Sequence, residues 1–98
     1  MTELGTPEDE KDLYRAILSL KDEEECFSFF RDLCTPAEIK AMKERWRVAQ
    51  LLEAGKQSYR QISESTGVSI VTITRVARFL KDESYQGYRL ILNKRKSS

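Results

Sequence analysis

Histidine is absent from this 98-residue chain, and residues that interrupt regular structure are scarce: two prolines and four glycines. Without histidine there is no His-based catalytic triad, no imidazole acid–base pair and no His metal site. The two cysteines, Cys26 and Cys34, cannot complete a four-ligand zinc site within one chain. A disulfide between them would be unusual in a chain without an export signal, so both read as plain buried thiols. No apolar run approaches the roughly 18 residues of a membrane span. The acidic opening Met1–Glu10 lacks the apolar core of a secretory signal, so a cytoplasmic location is expected. There is no Gly-rich phosphate loop and no pair of carboxylates in an apolar setting, which argues against an enzyme and implies no cofactor.

What is present is an amphipathic helical chain. Apolar residues make up 40% and charged residues 34%, a balance that suits a globular domain rather than a disordered or membrane-embedded one. The net charge of +1 hides an asymmetry: residues 1–34 carry 4 basic and 10 acidic side chains, net −6, and residues 35–98 carry 13 basic and 6 acidic, net +7. A basic C-terminal part beside an acidic N-terminal part fits a nucleic-acid binder with a separate dimerising or shielding segment.

The punctuation predicts helices throughout. Thr6-Pro7 reads as a cap and first helical residue, with Leu13, Ala16, Ile17 and Leu20 on one face of a helix running to about Ser19. Asp22 with Glu25 resembles a capping box, opening a helix that carries Cys26, Phe27, Phe29, Phe30 and Leu33. Thr35-Pro36-Ala37-Glu38 caps a long helix ending near Ala54 and Gly55, with Ile39, Met42, Trp46, Ala49 and Leu52 as its apolar stripe and Trp46 in the core. Ser58 and Ser69 cap two shorter helices, ending at Thr66-Gly67 and about Leu80. Residues 84–93 read as a last helix, with Tyr85 and Tyr88 as packing or dimer contacts and Lys94 to Ser98 frayed. The expectation is one all-α domain of six helices: 1–54 a dimerisation core, 58–80 a helix-turn-helix, and 84–93 the C-terminal helix. So small a chain, with faces this wide, predicts a homodimer.

Residues 58–80, SYRQISESTGVSIVTITRVARFL, hold the most informative spacing. Ile62, Gly67, Val68, Ile73 and Val76 match the apolar and turn positions of a helix-turn-helix. An ordinary helical hairpin can share that pattern. The outward positions of the second helix distinguish the two, because Ile70, Val71, Thr72, Thr74, Arg75 and Arg78 remain for other faces. Aliphatic residues there suit thymine methyls in a major groove, Thr72 and Thr74 suit base edges or phosphates, and Lys56 and Arg60 suit phosphates. The expected DNA-contact set is Lys56, Arg60, Ile70, Val71, Thr72, Thr74 and Arg78, with double-stranded DNA as partner.

From Leu33-Cys34-Thr35-Pro36 to Lys81, including Leu-Leu-Glu-Ala-Gly at 51–55 and Gly-Val-Ser-Ile-Val-Thr-Ile-Thr-Arg at 67–75, the sequence resembles the Trp repressor superfamily. Arg-Trp-Arg-Val-Ala-Gln-Leu-Leu and Ser-Tyr-Arg-Gln-Ile make it similar to the YerC/YecD group within that superfamily. The resemblance implies an intertwined all-α homodimer, a bacterial source, and a transcriptional regulator of repressor type on a near-palindromic operator. It places base reading at Ile70, Val71 and Thr74 and a phosphate contact at Arg60, with Ser63 where the family often has a lysine. The positions that embrace the co-repressor tryptophan match Thr35, Arg45 and Arg75. Val76 and Phe79 depart from the small residue and the serine expected there: valine closes space, and phenylalanine fills the pocket and removes an acceptor for an ammonium. Thr35, Arg45, Arg75 and Phe79 are thus the candidate effector pocket, for tryptophan or another small effector, with Phe79 itself standing in the indole's place as the favoured reading. The competing function is a protein–protein module on the same helical dimer.

Overall fold

Hydroxyl and carboxylate caps set where the helices begin. The computed structural model describes residues 6–97, with side chains as far as Lys96; Met1–Gly5 and Ser98, expected in the first segment and the frayed tail, lie outside the described residues. Six helices and no strand occur among the described residues: α1 (Pro7–Leu18), α2 (Glu23–Leu33), α3 (Pro36–Ala54), α4 (Tyr59–Thr66), α5 (Ile70–Lys81) and α6 (Gly87–Ser97). The chain is therefore all-α, as its punctuation predicts. By its contacts it divides into two units, Met1–Ile39 and Lys40–Ser98.

In the first unit, the Thr6 side chain accepts from Asp9 N at 3.1 Å and caps α1. At α2, Asp22 Oδ1 accepts from Glu25 N at 2.9 Å, but the Glu25 carboxylate accepts from Lys21 N at 3.0 Å rather than from the cap residue itself. Thr35 and Glu38 form the full reciprocal box, with Thr35 N donating to Glu38 Oε1 at 2.8 Å and Glu38 N donating to Thr35 Oγ1 at 3.1 Å. Neither α1 nor α2 contains a buried residue. Phe29 and Phe30 are half-buried and meet edge to face at 5.7 Å, while Leu18, Phe27 and Leu33 are exposed. Cys26 and Cys34 are free and half-buried rather than buried, because these helices bury nothing completely.

The second unit holds the core. Val48 and Ala49 of α3, Ile62 of α4, Val68 of the turn, and Ile73 and Val76 of α5 form one buried cluster. Burying an aliphatic side chain such as Ile62 or Ile73 is worth about 1.5–3 kcal/mol. The buried face of α3 is turned from the expected stripe: Val48, expected beside it, is fully buried, and Met42, expected on it, is exposed. Trp46 is half-buried at the edge of the cluster rather than inside it. There it stacks on Tyr88 at 6.4 Å, with the Arg95 guanidinium 5.2 Å from its ring. The small Val48 and Ala49 admit the α4–α5 pair where an indole would hold it off.

The last helix begins later than expected and continues into the basic tail. Asp82 N and Glu83 N both donate to Arg78 O, closing α5, and Gln86 Nε2 donates to Glu83 O at 2.7 Å. Gln86 takes a left-handed φ of 57° and its carbonyl accepts from Leu90 N, so α6 opens at Gly87 instead of Ser84. Residues 94–96 are helical, not frayed, because Glu53 of α3 holds α6 at two points. Arg89 Nη1 donates to Glu53 Oε1 at 2.5 Å, and Lys96 Nζ donates to Glu53 Oε2.

Lys96 and then Arg89 pull the Glu53 carboxyl below its ordinary value of 4.5, against a smaller upward push from burial. This stabilisation is present above pH 4.5 and is lost as pH falls through the depressed folded value. Glu53→Gln should lower stability at neutral pH by at most about 1 kcal/mol, since both cations are partly solvated. In urea unfolding across pH, its difference from the native protein should vanish on the acid side.

Candidate nucleic-acid interface

The site is built around the three-residue connection Gly67-Val68-Ser69 between α4 and α5. Ser58 caps α4 through a complete box: Gln61 N donates to Ser58 Oγ at 3.1 Å and Ser58 N donates to Gln61 Oε1 at 2.8 Å. Gly67 closes α4 with φ +79°, a left-handed conformation that costs glycine little and other residues about 1–2 kcal/mol. Thr66 ties the turn from both sides. Its hydroxyl donates to Ile62 O at 2.6 Å and accepts from Val68 N at 3.1 Å. Val68 is thereby fixed in the core, and Ser69 opens α5 by accepting from Thr72 N at 3.2 Å.

On α5, Ile73, Val76, Ala77 and Leu80 are buried. Val71, Thr74, Arg75 and Arg78 are exposed at spacing i, i+3, i+4, i+7, which is one continuous helical face. Val71 is 80% exposed and Ile70 46% exposed, at the start of the helix. Arg60 is 87% exposed on α4, and Lys56 is exposed ahead of it. Thr72, expected among the contacts, lies apart from that stripe: it is half-buried and its hydroxyl accepts from Ser69 Oγ at 3.1 Å, inside the cap.

Of the four residues expected to form an effector pocket, Arg75 and Phe79 lie side by side on α5. Arg75 and Phe79 meet, with the guanidinium 4.5 Å from the ring centroid, and Arg78 lies 5.0 Å from the other arginine's ring partner. Both Arg75 and Phe79 line a pocket of about 290 Å³ with Val76, Tyr85, Gln86, Gly87 and Tyr88. Arg45, half-buried on α3, is not among its lining residues, and the Thr35 hydroxyl serves the α3 cap. Tyr85 and Tyr88 therefore lie beside Phe79, a placement that their sequence spacing alone does not indicate.

Two further residues escaped the sequence reading. Glu64 Oε2 pairs with Arg60 Nε at 3.4 Å, and Glu83 Oε2 pairs with Arg78 Nε at 3.2 Å. The i, i+4 spacing of Arg60 and Glu64 was a usable signal. Glu83 lies beyond the end of α5, and only the closing turn brings it back to Arg78.

Among the described residues no group of three or more metal-ligating side chains occurs, and no helix is long and apolar enough to cross a membrane.

Comparison with known proteins agrees with this architecture. YerC, an uncharacterized protein of Bacillus subtilis (strain 168), is 50% identical over 68 residues, which are 69% of this chain and 64% of that protein. The matched stretch thus spans less than two thirds of that relative's length. The crystal structure of a TrpR-like protein from Eubacterium eligens ATCC 27750 is 40% identical, with a TM-score of 0.83 over 95% of this chain and 93% of that one. A second solved structure, from Staphylococcus aureus, is 34% identical, with a TM-score of 0.85 over 95% of this chain and 91% of that one. The family model described as Trp repressor protein matches residues 8–96, and the chain belongs to that family.

Proposed function

We propose that this protein is a sequence-specific DNA-binding regulator of repressor type that acts as a homodimer through its α4–α5 helix-turn-helix. The observation that carries the reading is the exposed face of α5. It places Ile70 and Val71 in water at the start of the helix and continues through Thr74, Arg75 and Arg78. Exposed aliphatic side chains cost solubility in a free helix, but they match thymine methyl groups in a major groove. Thr74 reads a base edge beside them, and Lys56, Arg60 and Arg78 neutralise phosphates. Thr72 contributes by fixing the Ser69 cap and so the start of the reading helix.

The dimer follows from α1 and α2, which bury no residue and leave Leu18, Phe27 and Leu33 exposed. A second copy supplies the cover that these apolar faces lack. Two reading helices then address half-sites about 34 Å apart, one turn of DNA.

In this reading the protein works without tryptophan. The reading is supported by the Phe79 ring, a bulky apolar group standing 4.5 Å from the Arg75 guanidinium where the resemblance expects a serine. Isothermal calorimetry should accordingly detect no micromolar tryptophan binding, with or without operator DNA; a micromolar isotherm would sink the filled-pocket account.

Selection from a random duplex library at physiological salt tests the central reading. The expected product is a two-fold symmetric motif with half-sites one helical turn apart. With that duplex, Arg60→Ala should weaken specific and random DNA alike and flatten the salt dependence by about one counterion. Thr74→Ala should instead cost about 1–3 kcal/mol on the selected motif and leave random DNA nearly unchanged. Binding that resists salt and enriches no motif would favour the protein–protein module on the same exposed aliphatic surface.

A further inference from the structure

The arginines of the helix-turn-helix are not equivalent. Arg60 is held by Glu64 at 3.4 Å and Arg78 by Glu83 at 3.2 Å, whereas the Arg75 guanidinium lies 4.5 Å from the Phe79 ring. Each carboxylate lies close along the chain to the cation it engages. Glu64 is one helical turn along α4 from Arg60, and Glu83 is fixed by its own N–H donating to Arg78 O at 3.1 Å. The side chains of Glu64 and Glu83 keep 65% and 36% of their surface, so neither pair is needed to close the core.

We infer that Glu64 and Glu83 act as internal competitors of DNA phosphate, occupying Arg60 and Arg78 in the free protein and weakening binding to random duplex. The inference rests on the DNA-binding reading above and adds two residues to it. A phosphate that reaches either guanidinium must first break its carboxylate pair. It then faces the displaced carboxylate at close range, a like-charge contact that water screens only partly. The cost falls on every sequence. The two carboxylates therefore lower affinity throughout without changing the ratio between sequences, and only a duplex that also gains base contacts at Ile70, Val71 and Thr74 is held against that cost. Both are positioning residues: they touch the arginines rather than the DNA.

The test is fluorescence anisotropy with the full chain, on the selected duplex and on a random duplex, across a salt series. Glu64→Gln and Glu83→Gln should each tighten random-duplex binding about twofold and together about fourfold, the size expected of exposed ion pairs. The gain should be largest at low salt and shrink as salt rises, which makes the salt dependence of the double variant steeper than that of the native chain. Repeating Glu64→Gln in an Arg60→Ala background separates pairing from bulk charge: the gain should largely disappear there. Glu64→Asp, which keeps the charge and shortens the reach, should lie between the native chain and Glu64→Gln. Unchanged or weaker binding by the Gln variants while the native chain binds normally would overturn this inference and leave the DNA-binding reading standing. A gain that persists in full without Arg60 would overturn it as well. A native chain that binds no duplex at any salt would remove both. Far-ultraviolet circular dichroism of each variant, expected to match the native spectrum, keeps the comparison among folded proteins.

Discussion

The buried cluster of Val48, Ala49, Ile62, Val68, Ile73 and Val76 is the constraint on which the rest of the second unit depends. It joins α3, α4, the turn and α5 through aliphatic side chains alone, and no polar or charged side chain is buried with them among the described residues. Such packing is non-directional, so something else must set the angle of the two short helices. The left-handed Gly67 and the Thr66 hydroxyl do this, one by allowing the sharp reversal and the other by holding Ile62 and Val68 in register. Once Ile73 and Val76 are committed inward, helical periodicity leaves Val71, Thr74, Arg75 and Arg78 facing water. The exposed face of α5 is thus a geometric consequence of the core, and its chemistry is free to vary without disturbing the fold.

Charge is distributed to suit that division. Where the fold needs a long-range tether, one carboxylate serves two cations: Glu53 takes both Arg89 and Lys96, drawing the end of α6 onto α3. On the helix-turn-helix surface, each of two arginines has one carboxylate nearby, close enough to pair and partly solvated. The first arrangement favours permanence and the second exchange, because desolvation and multiplicity strengthen a pair while exposure weakens it. A chain with a net charge of +1 can in this way present cations locally and remain nearly neutral overall.

Membership of the Trp repressor family supplies the scaffold, and two departures from the family's pattern, Val76 and Phe79, fall on one helix, α5. Val76 is in the core and Phe79 lies half-buried beneath Arg75, with Tyr85 and Tyr88 lining the adjacent pocket. Aromatic surface from α5 and from the start of α6 therefore collects beside a guanidinium. Of the positions that the resemblance groups with Arg75, Thr35 completes the α3 cap and Arg45 is half-buried on α3.

The sequence by itself determined the first five helices and their starts. Caps at Thr6, Asp22, Thr35, Ser58 and Ser69 act over three residues, and Gly67 over one, so neighbouring letters carry their whole cause. It also determined which side of α5 turns inward, since a period of 3.6 needs no knowledge of what lies opposite. Tertiary structure decided the remainder. It moved Val48 into the core and left Trp46 at its edge, because fit against α4 and α5 outweighs hydrophobic size. It drew a basic tail into α6, because the stabilising partner, Glu53, lies more than thirty residues earlier. It placed Glu83 on Arg78, because the closing turn folds back. It also set Thr72 half-buried against the Ser69 hydroxyl, apart from the exposed face of α5. In each case the deciding contact joins groups whose proximity depends on the packed path of the chain, and local propensity does not encode that path.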